Sequence, residues 1–202
     1  MENIKIDIIV PVYKNKELTE LCLSSIIQNI EEIKKNSPRI IIINDSPDHV
    51  EVSKFLVDFA KFNKLVNLII NKENLGFVKS VNKGLELSRT SGRAAILVNS
   101  DTITFPGTLE KLIEAASTDP QIGFACPRSN NASLSTLPKL PHNLAGASIT
   151  PEQTYKNWKV ISNLLPAVSY APTAVGFYLY INRDVVANFG KLNEDFELGY
   201  VS

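Results

Sequence analysis

Short apolar runs alternate with segments of helical periodicity along the first half of the chain. The runs of strand length cover residues 4–12, 39–43, 65–70 and 94–98. Between them, apolar positions recur at helical spacing over residues 17–30, 48–62 and 77–88. This alternation predicts parallel strands joined by right-handed crossovers, which is an α/β architecture.

The second half of the chain is less regular. The pattern predicts helices over residues 106–117, 151–160 and 183–189, with Gly190 as the C-terminal cap of the last helix. It predicts strands over residues 122–126 and 175–181. The rest of residues 127–172 is rich in Pro, Ser, Asn and Thr, which is typical of a long functional loop or of disorder.

Polar residues and turns follow the four predicted strands of the first half: the Pro11-Val12-Tyr13 turn, Asp45, Asn74 and Asp101. Because the carboxyl ends of parallel strands meet at one edge of a sheet, we expect these residues to be neighbours where open α/β sheets bind ligands. Asp101 follows the run Ala94–Val98, which is typical of a strand buried on both faces. A carboxylate there is costly to desolvate unless a cation or a hydrogen-bond donor meets it.

The composition is that of one globular domain, or of one domain built in two halves. Of its 202 residues, 44% are hydrophobic, and 21 Lys and Arg balance 21 Asp and Glu. The absence of a basic excess argues against non-specific nucleic-acid binding. Cys22 and Cys126 are interpreted as small core residues, and no leader or bilayer-length apolar run is visible. We therefore expect a cytoplasmic protein, and leave open a peripheral contact with the inner face of the membrane.

Seven short motifs carry more information through their order and spacing than any one of them does alone. They are Ile8-Ile9-Val10-Pro11-Val12-Tyr13, Ile43-Asn44-Asp45-Ser46, Asn74-Leu75-Gly76-Phe77, Asn82-Lys83-Gly84, Leu97-Val98-Asn99-Ser100-Asp101-Thr102, Val175-Gly176-Phe177 and Gly190-Lys191-Leu192-Asn193-Glu194-Asp195-Phe196. Because of the order and spacing of these motifs, nearly the whole chain resembles the family-two glycosyltransferases of the GT-A fold. The Asn-Leu-Gly-Phe and Asn-x-Asp-Thr motifs look most like the rhamnosyltransferase-like branch, which builds bacterial surface polysaccharides.

The resemblance implies a fold, a domain plan and a reaction. The fold is the α/β GT-A fold, with a mainly parallel central sheet flanked by helices. Residues 1–202 would form a single domain that is incomplete at its C-terminus, with a nucleotide-sugar-binding half at 1–105 and an acceptor-side half at 106–202. The reaction would be an inverting transfer of a hexosyl group from a UDP- or dTDP-sugar to a hydroxyl of a glycan or a lipid-linked glycan.

Asp101 occupies the position of the family's metal-binding Asp-x-Asp motif. The resemblance implies that Asp101, with Asn99 and Ser100 beside it, binds the Mg²⁺ or Mn²⁺ that bridges the donor diphosphate. Such a hard cation often takes only one or two protein carboxylates plus phosphate oxygens. Asn99 puts a neutral ligand in place of the first Asp, so we expect metal affinity to depend on the donor. The alternative is that Asp101 caps the next turn or helix.

The resemblance also implies donor-binding residues after the other strands: Pro11, Val12, Tyr13, Asp45, Asn74, Gly76, Lys79 and Asn82. The first three would line the nucleoside pocket, and Asp45 would accept hydrogen bonds from a pyrimidine base. An Asx-turn with Ser46 and Pro47 is the alternative for Asp45.

A phosphate contact is expected at residues 74–76, where free N–H groups at a helix start and the helix dipole favour an anion. The family often has Arg just before the position of Asn82, and this chain has Val81 there. A cationic contact to phosphate is therefore either missing or supplied by Lys79. A solvated, ion-paired helix face explains Lys79 and Lys83 equally well.

On the acceptor side the candidates are Ser129 and Asn130, with Asn131 beside them, and Gly176. Surface-loop positions explain the first three nearly as well. The family's catalytic base, an Asp that takes the proton of the acceptor hydroxyl, is expected just after Ser202. Glu194 and Asp195 align upstream of it and are not assigned that role. The chain is therefore expected to be part of a longer enzyme and to transfer sugar weakly or not at all by itself.

Two rival functions are distinguished by sequence features. A sugar-nucleotide pyrophosphorylase would need a Gly-rich, basic loop after the first strand, and residues 11–16 contain no Gly. A non-catalytic domain that binds a nucleotide sugar or a partner protein stays open, because the expected base is absent from the chain.

Overall fold

A six-stranded, mainly parallel sheet forms the centre of the protein. The computed structural model describes residues 4–130, 150–171 and 173–195. The strands are β1 (Ile6–Val12), β2 (Arg39–Asn44), β3 (Val66–Ile70), β4 (Ala94–Val98), β5 (Phe124–Ala125) and β6 (Tyr178–Ile181), in the spatial order β3-β2-β1-β4-β6-β5. The first four are mutually parallel, whereas β6 runs antiparallel to both β4 and β5. The predicted α/β architecture with a mainly parallel sheet is confirmed.

Helices cover both faces of the sheet. They are α1 (Lys16–Asn29), α2 (Val50–Phe62), α3 (Phe77–Thr90), α4 (Thr108–Ala116), α5 (Pro151–Ile161) and α6 (Arg183–Phe189), with 3₁₀ turns at Ile30–Asn36 and Ser162–Leu164. Leu23 of α1, Val52 of α2 and Leu109 of α4 belong to the hydrophobic cluster on one face. Val81 of α3 and Val186 of α6 belong to the cluster on the other. No helix in these described ranges is both long and apolar enough to cross a membrane.

The isoleucine run of β2 shows why continuous apolar segments identify the central strands. Ile40 and Ile42 lie in the cluster under α1 and α2, whereas Ile41 and Ile43 lie in the cluster under α3. Successive strand residues point to opposite faces, so apolar side chains are favoured at every position of a strand that is covered on both sides. All seven residues of β1 are buried for the same reason, and all but Asp7 are apolar.

The element bounds differ from the sequence pattern mainly at the irregular end of the chain. Strand β5 has two residues instead of the predicted 122–126, and β6 begins at Tyr178, where its pairing with Val98 begins, instead of at residue 175. The 3₁₀ turn Ile30–Asn36 extends α1 and was not predicted. Gly190 caps α6 in the left-handed conformation, φ 63°, as predicted. Residues 131–149 and 172 of the predicted long loop lie outside the described ranges.

A buried carboxylate ties three strands and one helix together at the amino edge of the sheet. Asp7 of β1 is fully buried and accepts two hydrogen bonds from Arg39 of β2, at 2.9 and 2.7 Å. It also accepts one from Arg93 Nε at 2.5 Å and one from Ser88 Oγ at 2.8 Å. Arg93 in turn donates to the carbonyls of Ile6 and Ser37. The carboxylate is thus fully hydrogen-bonded, which is the condition under which a buried charge is tolerated.

We expect Asp7→Ala to lower the free energy of unfolding by about 3 kcal/mol, because it leaves two guanidinium groups without their carboxylate. This is the low end of the range for broken buried pairs, since the Arg39 side chain keeps 32% of its surface exposed. Urea denaturation measures the change. Glu31→Ala, which breaks the exposed pair with Lys34, is the control and should lose less than about 1 kcal/mol. Equal losses in the two variants would contradict this account.

Gly84 allows α3 to approach β1 closely. A Cβ atom at this position would lie 2.6 Å from Cγ2 of Ile9, which is fully buried and cannot move aside. Glycine inside a helix normally costs about 1 kcal/mol relative to alanine. The close approach explains why the helix carries it.

Gly84→Ala should therefore lower the free energy of unfolding by about 1–2 kcal/mol, since the overlap with Ile9 outweighs the gain in helix propensity. Introducing it into an Ile9→Ala background should reduce that cost, because the clashing atom is gone. Gly176→Ala is the control, since a Cβ atom there meets nothing within 4 Å. Chemical denaturation of the wild-type chain, the three single variants and the double variant tests the prediction, and a stabilised Gly84→Ala would refute it.

Candidate functional site

The loops after β1 and β2 form one connected surface at the carboxyl edge of the sheet. Val12 and Asn44 are register partners at the ends of these strands. The Asp45 amide donates to the Val12 carbonyl at 2.8 Å, and the Lys14 amide donates to Ser46 Oγ at 3.0 Å. The sequence expectation that these strand ends are neighbours is met.

Only Tyr13 of the three predicted nucleoside-pocket residues offers an accessible side chain. Tyr13 has half of its surface exposed, with Lys14 Nζ 4.8 Å from the centre of its ring. Pro11 and Val12 lie inside β1 instead of in a turn after it, and both are buried. Because β1 is paired on both sides and covered on both faces, their side chains belong to the interior of the protein.

Asp45 is a buried acceptor for the loop that precedes α3. Only 3% of the surface of Asp45 is exposed. Its Oδ1 accepts from Asn71 Nδ2 at 2.7 Å and from the Leu75 amide at 2.8 Å, and its Oδ2 accepts from the Gly76 amide at 2.9 Å. The local turn that was the alternative for Asp45 is made by Asn44 instead, whose Oδ1 accepts from the Ser46 amide. The predicted contact of Asp45 with a base stays a prediction.

These bonds correct the expectation for residues 74–76. The amides of Leu75 and Gly76 were expected to be free for phosphate, and both donate to Asp45. The Gly76 amide is also within 2.9 Å of Asn74 Oδ1, and Gly76 has a φ of 82° that suits a residue without Cβ. Asp45 itself therefore supplies the negative charge that a helix N-terminus favours.

Asn71 is a residue of this edge that sequence reasoning did not single out. It is 1% exposed, and its Nδ2 donates both to Asp45 Oδ1 and to Ser80 Oγ. Its Oδ1 accepts from Lys83 Nζ at 2.6 Å, whereas Lys79 on the same helix is exposed. The available signal was its place directly after a strand, but Asn there is equally typical of an ordinary turn.

Asn82 links α3 to the segment that follows α6. Its Nδ2 donates to the carbonyl of Leu192 at 3.0 Å and to Glu194 Oε1 at 2.9 Å. Its Oδ1 accepts from the Leu192 amide at 2.8 Å. With 4% of its surface exposed, Asn82 holds chain segments 110 residues apart together. Its predicted contact with a donor stays a prediction.

The segment after β4 presents two polar groups of different character. The Oδ1 of Asn99 is buried and meets no donor among the described residues. Asp101 is exposed, and Ser100 between them is half-buried. The next helix, α4, begins at Thr108 after Gly107 without a side-chain cap, so Asp101 does not cap it. A buried acceptor without a partner is costly and is the kind of group that a ligand satisfies.

The backbone of Asn99 is held from several sides. Its amide donates to the Phe177 carbonyl at 2.9 Å, next to β6. Its carbonyl accepts from Thr102 Oγ1 at 2.7 Å and lies 3.5 Å from Cys22 Sγ. Burial raises the pKa of the Cys22 thiol to about 12, and the negative charge of Asp101 adds to this. Cys22 therefore stays protonated and keeps its S–H donor at neutral pH.

The oxygen groups of Asn99 and Asp101 suit a hard divalent cation. They are one carboxylate and one amide oxygen, the ligand types that Mg²⁺ prefers and Mn²⁺ accepts. Within the described residues no group of three or more His, Cys, Asp and Glu could hold a metal ion. A cation here would therefore take most of its ligands from phosphate oxygens and water, as Mg²⁺ usually does.

The predicted acceptor-side residues fall in two places. Gly176 is exposed and directly precedes Phe177, whose carbonyl pairs with Asn99, so the fold brings it next to the segment after β4. Ser129 and Asn130 lie at the end of a described range, after Arg128, which donates to Ser169 Oγ and the Pro166 carbonyl. Asn131 lies outside the described residues.

Residues 7–175 match the family model described as Glycosyl transferase family 2. A protein of Haemophilus influenzae described as an uncharacterized glycosyltransferase is 33% identical over 114 residues, which make up 56% of this chain and 33% of that protein. The matched region thus spans about a third of that relative.

Two solved structures are similar in fold. The mannosyltransferase PcManGT from Pyrobaculum calidifontis, in complex with GDP-Man and Mn²⁺, matches with a TM-score of 0.62 at 16% identity, over 96% of this chain and 48% of its own. GalNAc-T7 with UDP, GalNAc and Mn²⁺ matches with a TM-score of 0.50 at 15% identity, over 58% of this chain and 22% of its own. At such identities the likeness establishes the fold.

We expect Asp45→Asn to loosen the loop before α3. The new amide group would turn N–H donors toward Asn71 Nδ2 or the Gly76 amide, and a buried mismatch of this kind costs about 1–3 kcal/mol. Hydrogen exchange at the amides of Leu75 and Gly76 should become faster. The matched control is Asp48→Asn, which changes an exposed side chain three residues away. Exchange rates that stay at the wild-type level in Asp45→Asn would refute the anchoring role.

Proposed function

Since the chain belongs to glycosyl transferase family 2, we propose that it binds a nucleoside-diphospho-sugar and moves the sugar to an acceptor hydroxyl with inversion. The proposed donor is a nucleoside-diphospho-hexose such as a UDP- or dTDP-sugar. The proposed acceptor is a hydroxyl of a glycan or of a lipid-linked glycan in bacterial surface polysaccharide synthesis. Family membership supports glycosyl transfer, and the resemblance of the motifs supports the finer assignment.

The observation that carries the proposal is the pair of oxygen groups after β4. Asn99 Oδ1 is buried and meets no donor within residues 4–130, 150–171 and 173–195, and Asp101 is an exposed carboxylate two residues later. They stand at the carboxyl edge of the sheet, beside the loops that carry Tyr13 and Asp45. This is the edge at which α/β sheets bind nucleotides. The two residues thus offer ligands to a cation and to the phosphate groups that it accompanies.

The residues at this edge divide the work of donor binding. Tyr13 offers an exposed ring for the nucleoside, and Lys14 and Lys79 offer cations toward phosphate. Asn99 and Asp101 would hold Mg²⁺ or Mn²⁺, which when bound neutralises the charge that develops on the leaving diphosphate. Asp45, Asn71 and Gly76 keep the neighbouring loop in place.

The proposed reaction exchanges one bond at the anomeric carbon for another. The acceptor oxygen forms a bond to that carbon from the face opposite the diphosphate, and the bond from the carbon to the diphosphate oxygen breaks. The proton of the acceptor hydroxyl passes to a general base. We assign residues 1–105 to the donor and residues 106–202 to the acceptor side, where Ser129, Asn130 and Gly176 are the candidates.

The test is metal-dependent nucleotide binding. Titration calorimetry with UDP, GDP and dTDP, with and without Mn²⁺, should show binding that requires the metal for at least one nucleotide. Asp101→Ala should weaken that binding by at least about 100-fold, because it removes a metal ligand and the loss of a group that only orients a ligand already costs about 10- to 100-fold. It should leave the melting temperature unchanged because the side chain is exposed.

Asp58→Ala is the matched control, since Asp58 is an exposed carboxylate in the middle of α2. It should bind like the wild-type chain. Binding by Asp101→Ala that equals the control would overturn the metal role. A wild-type chain that binds none of the three nucleotides with Mn²⁺ would overturn the proposed function.

A further inference from the structure

A stripe of four polar side chains runs along α1 and the 3₁₀ turn that follows it. Its members stand at positions i, i+3, i+7 and i+10: Cys22, Ser25, Asn29 and Glu32. Residues at this spacing lie on one side of a helix. The first three are largely or fully buried, in a layer that otherwise consists of apolar residues such as Leu23 and Ile26. Polar groups here require partners, because burial without them is costly.

All four side chains reach the backbone of residues 99–107, the segment that joins β4 to α4. This segment is hereafter the β4–α4 segment. The Sγ of Cys22 lies 3.5 Å from the carbonyl of Asn99. At the other end, Glu32 Oε1 accepts from the Gly107 amide at 2.6 Å. The stripe therefore meets both the beginning and the end of the segment.

The centre of the β4–α4 segment is bound at both of its backbone groups. The amide of Thr104 donates to Ser25 Oγ at 2.9 Å, and the carbonyl of Thr104 accepts from Asn29 Nδ2 at 3.1 Å. The Thr104 hydroxyl is 3.2 Å from the hydroxyl of Tyr178 on β6. Residues 102–105 have no helix or strand conformation, so these side chains replace the bonds that regular structure would provide.

The stripe is more polar than packing alone requires. Apolar residues at positions 25 and 29 would cover the sheet equally well, but they would leave the amide and carbonyl of Thr104 buried without partners. The side-chain bonds instead specify where the β4–α4 segment lies relative to α1. Asp101 is part of this segment, between the points fixed at Asn99 and Thr104.

We propose that Cys22, Ser25, Asn29 and Glu32 are positioning residues, which hold the β4–α4 segment so that Asn99 and Asp101 can bind a metal–nucleotide complex. The inference rests on the proposed function. It adds a set of residues on α1 and the following 3₁₀ turn that touch neither metal nor nucleotide and act through the backbone of another segment. Groups that orient metal ligands from behind commonly affect affinity by about 10- to 100-fold when they are lost.

The experiment compares two buried asparagines with the same substitution. Asn29→Leu removes the bond to Thr104, whereas Asn36→Leu removes the bond of a buried asparagine to the Ile4 carbonyl, at the opposite edge of the sheet. Separate titrations with UDP, GDP and dTDP, each with Mn²⁺, measure affinity. Hydrogen exchange of residues 99–107 in the ligand-free chain measures the order of the segment.

Compared with the wild-type chain, Asn29→Leu should bind the same nucleotide about 10-fold more weakly. Its β4–α4 segment should exchange amide hydrogens faster. Asn36→Leu should keep the wild-type affinity and the wild-type exchange rates of residues 99–107, even where the melting temperatures of the two variants fall by similar amounts. Equal weakening in both variants, or wild-type affinity in Asn29→Leu, overturns the inference while the proposed function stands.

A second pair keeps the test decisive where Asn29→Leu does not fold. Ser25→Ala removes the acceptor for the Thr104 amide, and Ser25→Thr restores a hydroxyl at the same place. Weaker binding in Ser25→Ala with recovery in Ser25→Thr supports positioning, and no difference between them contradicts it. A wild-type chain without nucleotide binding defeats the proposed function separately. In that case hydrogen exchange decides, since unchanged protection of residues 99–107 in Ser25→Ala refutes the positioning role of the stripe.

Discussion

The burial of a charged side chain at the start of the central strand constrains the rest of this structure. Asp7 lies in β1, which is covered on both faces, and a carboxylate there persists only with donors on every side. Arg39 at the start of β2 and Arg93 just before β4 supply most of them, and Ser88 near the end of α3 supplies another. One side chain thereby fixes the relative positions of three neighbouring strands and the helix above them. The carboxyl edge, one strand length away, is built on this alignment.

The two edges of the sheet use carboxylates in different ways. At the amino edge Asp7 is closed by arginines. At the carboxyl edge Asp45 is closed by amide donors from Asn71, Leu75 and Gly76. Asp101 is the contrasting case, because it is exposed and lies two residues after Asn99, whose side-chain oxygen meets no donor in the part of the chain that the structure describes. A buried carboxylate that bonds to protein donors organises the fold, whereas an exposed one is available to a ligand. The polar stripe on α1 and the following 3₁₀ turn combines both uses. Its buried side chains bond to the backbone of the segment that carries the exposed Asp101.

Much of the fold could be predicted because buried parallel strands leave a strong trace in the sequence. The run Ala94–Val98 and the isoleucines of β2 are continuous apolar segments since both faces of these strands are covered. The short β5 and the 3₁₀ turn after α1 left no such trace. Their extent depends on pairing and on packing against other elements. The same limit applied to the candidate site. Residue type and chain order brought Asp45, Asn74, Gly76 and Asp101 to one edge, but could not tell which of them bond to one another.

The sequence by itself determined the α/β architecture, the edge at which polar residues gather and the family to which the chain is similar. These follow from periodicity and order along the chain, which are local properties. The tertiary structure alone decided that Asp45 takes up the amides of residues 75 and 76, that Asn82 joins segments 110 residues apart, and that α1 holds the segment carrying Asp101. These depend on distances between groups far apart in sequence. A hydrogen bond forms only within about 3 Å, and no pattern of residue types encodes that separation.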